Sequence, residues 1–144
     1  MRSASTRRPD GVHPPSDTAG PLTVLVVDDE AAIRAFVARA LTLTGFEVAV
    51  AADGREALRL VAEDRVRPAV VVTDIEMPGM TGVELAARLL AVRPGLRVVM
   101  MTGDPERATA ARAHSSIVAT VLQKPIPMAE LLAAVRPDAT SLVP

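Results

Sequence analysis

The 144-residue chain has a formal net charge of −1 and 49% hydrophobic residues, yet only two aromatics, Phe36 and Phe46. That length holds one domain with a sizeable core, the near-zero charge offers no basic footprint for direct contact with nucleic acid, and the lack of cysteine excludes disulfides and thiolate metal sites. Arg7-Arg8 stands near the N-terminus, but no apolar run follows before Leu22, and that run is too short for export or membrane insertion, so a cytoplasmic protein is expected.

Residues 1–21 contain four prolines and two glycines without periodicity, which predicts a disordered arm. A strand then runs from Leu22 through Val27 into Asp28, Asp29 and Glu30. Residues 30–44 have helical spacing that puts Ile33, Phe36, Val37, Ala40 and Leu41 on one buried face, and Gly45 ends that helix. After a short strand over 47–51, Asp53-Gly54-Arg55-Glu56 gives a capping-box pattern for a helix to about residue 64 that buries Leu58 and Val61.

Val70, Val71, Val72 and Thr73 run without alternation into Asp74, as in a parallel strand buried on both faces. Pro78, Gly79 and Gly82 forbid that strand from continuing and leave the Asp74 carboxylate at its end. Thr81-Gly82-Val83-Glu84 is a second capping box, opening a helix to about residue 93 whose Leu85, Ala86 and Leu89 face the sheet. A strand over 97–101 leads to Thr102. Asp104-Pro105 starts a fourth helix whose apolar residues from Glu106 to His114 are all alanine, so it should be the least firmly anchored element. A strand over 119–123 delivers Lys124-Pro125, and a short last helix over 128–135 carries Leu131, Leu132 and Val135 before Pro137.

Five β-α alternations predict an α/β fold: a single doubly wound, flavodoxin-like sandwich with a parallel five-stranded sheet in the order 2-1-3-4-5. In such a sheet the strand ends share one edge, so the acids Asp28, Asp29 and Asp74, the Thr102 hydroxyl and the Lys124 amine converge. Carboxylates packed together repel strongly unless a cation joins them. Oxygen ligands of this kind suit Mg²⁺, which keeps several waters and takes a phosphate as a further partner, so the cluster suggests phosphate chemistry. His13 and His114 fall outside it.

Asp28-Asp29 after the first strand, Asp74-x-x-Met77-Pro78-x-x-x-Gly82 after the third, Thr102 after the fourth and Lys124-Pro125 after the fifth resemble the receiver domain of two-component response regulators. The resemblance spans residues 22–136, leaving 137–144 as a C-terminal tail. It implies that Asp74 is the phosphoacceptor, served by a sensor histidine kinase or histidine phosphotransfer protein. It implies Mg²⁺ bound by Asp29, Asp74 and the backbone carbonyl of Glu76, with Asp28 acting mostly through water. Lys124, its ammonium aimed into the crevice by a cis Lys124-Pro125 bond, would pair with phosphoryl oxygens, and Thr102 would bond one oxygen through its hydroxyl.

With only eight residues after Arg136, the expected role is a stand-alone switch or relay carrier, or a phosphate sink. No separate catalytic domain is expected; the domain would promote its own phosphorylation and dephosphorylation, signal to an unknown downstream protein, and could form a homodimer through the fourth and fifth helices. The chain departs from the family at Val121, where an aromatic usually stands three residues before the lysine. The resemblance implies that Glu76 and Asp104 occupy positions that tune access of water to the acyl phosphate. The alternatives are a phosphorylation-independent, receiver-like interaction module and a haloacid-dehalogenase-like phosphatase, whose paired acids Asp74-x-Glu76 and Asp28-x-Glu30 loosely mimic.

Overall fold

A computed structural model of the chain describes residues 21–136. The expected tail, and the expected arm apart from Pro21, lie outside the described residues. The elements follow in strict alternation: β1 (Thr23–Val27), α1 (Ala31–Leu43), β2 (Glu47–Ala51), α2 (Gly54–Ala62), β3 (Val70–Asp74), α3 (Gly82–Val92), β4 (Arg97–Thr102), α4 (Pro105–Arg112), β5 (Thr120–Gln123) and α5 (Met128–Val135). The strands form one parallel sheet in the order β2-β1-β3-β4-β5, as the alternation predicts.

Successive residues of a strand face opposite sides, so the unbroken apolar runs supply two cores at once. Leu25, Val27, Val71, Val98 and Met100 pack with Ala57 and Val61 of α2, Leu85, Ala86 and Leu89 of α3, and Ala108 and Ala111 of α4. Val24, Val26, Val70, Val72, Val99 and Met101 pack on the other side with Val37, Ala40 and Leu41 of α1 and Leu131, Ala134 and Val135 of α5. Every residue of β3 is buried, which makes it the axis of the sheet. Among the described residues, no helix is long and apolar enough to cross a membrane.

Local chemistry sets the helix ends. The Asp53 side chain accepts from Glu56 N–H at the start of α2. Thr81 and Glu84 close a full capping box on α3, and Asp104 accepts from Glu106 N–H on α4. Gly45, at φ 103°, turns the chain out of α1 through the left-handed region that a side chain disfavours.

The burial of four expected core residues differs, Ile33 of α1 being only half-buried. Phe36 is 55% exposed, because Val37, Ala40 and Leu41 already fill the space over β1 and push the neighbouring ring to the helix margin. There it borders a shallow apolar groove with Ile33, Pro125 and Ile126. Leu58 is half-buried; the position of α2 that meets the sheet squarely belongs to Ala57, while Leu132 of α5 likewise lies at the core margin.

Gly82 fixes how β3 hands over to α3. Its N–H donates to the Ile75 carbonyl at 2.7 Å, and a Cβ there would stand 2.4 Å from the Asp74 carbonyl oxygen and 3.0 Å from Ile75 Cα. Backbone cannot yield as a flexible side chain does. Gly82→Ala is therefore expected to cost about 1–3 kcal/mol, measured by urea denaturation, and to move the Asp74 amide resonance.

Candidate functional site

The carboxyl ends of the parallel strands meet on one edge, and the acids expected there are brought together. Asp28, Asp29 and Asp74 each offer a carboxylate oxygen, and these atoms lie within 4.8 Å of one another. Asp28 follows β1 directly and is fully buried, Asp74 closes β3 at 6% exposure, and Asp29 is exposed. One oxygen thus faces solvent while two are walled in by the sheet.

Asp28 is the most restrained of the three. Its Oδ1 accepts from Glu30 N–H at 2.9 Å, and its backbone carbonyl accepts from Arg34 Nη1 at 2.7 Å. Arg34 was not singled out from the sequence; a cation one helical turn beyond an acidic N-terminus is the signal that could have found it. Glu30 serves as the N-cap position of α1 without a capping side-chain bond.

Lys124 closes the pocket from β5. Its backbone N–H donates to the Thr102 carbonyl at 2.7 Å, and its peptide bond to Pro125 is cis, as the resemblance implies. Its Nζ lies 3.3 Å from Asp28 Oδ2, 3.5 Å from Asp74 Oδ1 and 3.9 Å from Glu30 Oε1. Lys124 is also the chain's only lysine, all other cationic side chains apart from histidine being arginine.

Thr102 ends β4 fully buried, and its Oγ1 accepts from Asp104 N–H at 3.1 Å. Glu76 reaches the mouth of the pocket on the β3–α3 loop, but its carboxylate turns to Arg107 of α4, which also approaches Asp104 at 3.5 Å. Val121 is buried under α4 in the core, in register with Met100.

Burial pushes the Asp74 carboxyl up to about 6; Lys124 opposes the shift, and the neighbouring charges of Asp28 and Asp29 reinforce it. A carboxylate cluster with more negative than positive charge is the donor set of a hard divalent cation, and these oxygens are close enough together to share one.

The family described as the response regulator receiver domain matches residues 24–136. This chain belongs to that family. The receiver is 36% identical over 116 residues to the response regulator MprA of Mycolicibacterium vanbaalenii, covering 81% of this chain and 49% of that protein. Among solved structures, a receiver domain protein of Clostridium thermocellum superposes at TM-score 0.75 with 27% identity, over 85% of this chain and 99% of that one. The chemotaxis protein CheY4 of Vibrio cholerae superposes at 0.71 with 32% identity, over 82% and 98%. This chain spans about half the length of the first curated relatives it matches.

The raised Asp74 value makes a stability prediction whose sign is fixed. Between the ordinary carboxyl value of 3.8 and about 6, the folded receiver binds more protons than the unfolded chain. Stability therefore falls as pH rises through that window. Asp74→Asn removes the buried charge and is expected to be more stable than wild type at pH 7.5 by about 1–3 kcal/mol. The gain should shrink toward zero near pH 4, as read by urea denaturation across pH in the absence of divalent cations.

Proposed function

We propose that Asp74 accepts a phosphoryl group from a phosphohistidine of a sensor histidine kinase or a histidine phosphotransfer protein, and that the receiver thereby works as a stand-alone switch or relay carrier. The observation that carries this reading is the position of Lys124 Nζ, 3.5 Å from Asp74 Oδ1, inside a cluster of three converging carboxylates. In the transfer, an Asp74 oxygen bonds to phosphorus as the P–N bond breaks, and the imidazole nitrogen keeps the electron pair. Water later attacks the acyl phosphate, the P–O bond to Asp74 breaks, and inorganic phosphate leaves.

Phosphoryl transfer asks for positioning and charge neutralisation more than for covalent help. Lys124 is placed to hold phosphoryl oxygens that replace part of its present contact with Asp74. Thr102 Oγ1 already accepts from Asp104 N–H, so its own proton is the one that would go to a phosphoryl oxygen. Asp29, Asp74 and the Glu76 backbone carbonyl would hold Mg²⁺ directly, with Asp28 reaching it through water. Bound there, the cation supplies the positive charge that neutralises the attacking carboxylate and the incoming phosphoryl group.

A phosphoryl group brings roughly two negative charges into a pocket that already carries excess acid. Thr102 moving toward it would draw on the Gly103-Asp104 segment and on α4. The face of α4, β5 and α5 is then the surface offered to a downstream protein, and the one through which a homodimer would form.

Incubation with acetyl phosphate and Mg²⁺ is expected to add one phosphoryl group to wild type and none to Asp74→Asn, with the adduct lost when Mg²⁺ is chelated beforehand, as read by intact mass. An unmodified wild type would turn the reading to a phosphorylation-independent interaction module. A native product migrating at the 15.1 kDa of this chain would support stand-alone action, and a longer product would overturn it.

A further inference from the structure

Arg107 does something at the mouth of the pocket that the receiver chemistry does not require. It projects from the first turns of α4 and pairs with the Glu76 carboxylate on the β3–α3 loop, and it lies 3.5 Å from the Asp104 carboxylate at the start of its own helix. Glu76 stands two residues after Asp74, and Asp104 two residues after Thr102. The strand ends that carry these loops are in register, Asp74 beside Met101, and Ile75 N–H donates to the Met101 carbonyl at 3.0 Å. One guanidinium therefore spans the two loops that leave the proposed acceptor and its threonine.

The rest of α4 rests on small side chains. Its buried residues are Ala108 and Ala111, each offering little apolar area to the sheet. Beneath it Val121 is too small for the rotamer swing that an aromatic would make. The ion pair is thus a larger share of what fixes α4 than a surface pair ordinarily is. It also bears on Thr102, whose Oγ1 is held by Asp104 N–H, so a displacement of Asp104 releases the hydroxyl.

We propose that Arg107 is a positioning residue: its guanidinium latches α4 to the β3–α3 loop, holds the Thr102–Asp104 segment in its unphosphorylated placement, and sets how readily the receiver switches. The coupling to switching rests on the phosphoacceptor reading of Asp74. The latch itself does not. A two-state element responds to whatever stabilises one state over the other, and all three side chains of the latch are about half exposed, so its contribution is modest and screened by salt.

The test compares wild type, Arg107→Gln, Arg107→Lys, Glu76→Gln and the double variant Arg107→Gln/Glu76→Gln as full-length proteins. Amide exchange across residues 103–112 is read first, without phosphodonor. Arg107→Gln and Glu76→Gln are each expected to speed exchange by about 1.5- to 5-fold, the span of an exposed ion pair. The double variant should match Arg107→Gln within error, Arg107→Lys should recover part of the protection, and raised salt should speed exchange in wild type but not in Arg107→Gln. Unchanged exchange in Arg107→Gln, or single effects that add, would overturn the latch.

Phosphorylation by acetyl phosphate with Mg²⁺ is read second, on wild type and Arg107→Gln. The variant is expected to start faster by a similar factor, because the rearranged state is more often populated before the donor arrives. An equal or slower rate overturns the coupling. If wild type takes no phosphoryl group, the phosphoacceptor reading falls and the coupling with it, while the exchange data still judge the latch.

Discussion

The pocket depends on one ammonium among carboxylates. Asp28 and Asp74 are each nearly or wholly removed from water, and two buried charges of one sign at that separation would hold the strand ends apart. Lys124 places positive charge within 3.3 Å of one and 3.5 Å of the other. It does not neutralise the cluster, since Asp29 adds a third carboxylate and burial still raises Asp74 to about 6. The remaining excess of negative charge suits the cluster to a divalent cation. A lysine suits this role because its ammonium is a compact point charge on a flexible stem, able to exchange one oxygen partner for another.

The scaffold exists to deliver those groups to one edge. Parallel strands with helical crossovers put every carboxyl end on the same side, and unbroken apolar runs in β1, β3 and β4 make both faces of the sheet into core. Gly82 lets α3 begin tight against the end of β3, so the strand that carries Asp74 has little freedom to shift. The Lys124 backbone hydrogen bond to Thr102 does the same for the other side of the pocket. Precision at the site is backbone precision, enforced by strand register.

The α4 side is built differently. Two alanines form its buried contact, and polar groups at its start provide the remaining ties. Large apolar side chains pack beneath the acids, whereas small side chains and charged pairs hold the helix beside them.

The sequence by itself determined the fold and the composition of the pocket. Buried parallel strands need continuous apolar runs, helix starts favour caps, and chain breaks need Gly or Pro, so most boundaries were written in local residue types; the order of the strands and the convergence of Asp28, Asp29, Asp74 and Lys124 followed. The tertiary structure decided what local pattern does not encode. Phe36 fits the apolar stripe of α1 by spacing, yet its neighbours fill the core and leave it 55% exposed. Arg34 reaching the Asp28 carbonyl, and Arg107 choosing Glu76, are contacts between side chains on an exposed or half-exposed surface, where many partners are within reach of a long arginine. Helical period places such residues on a face, and only the packed loops and strand register say which carboxylate or carbonyl they meet.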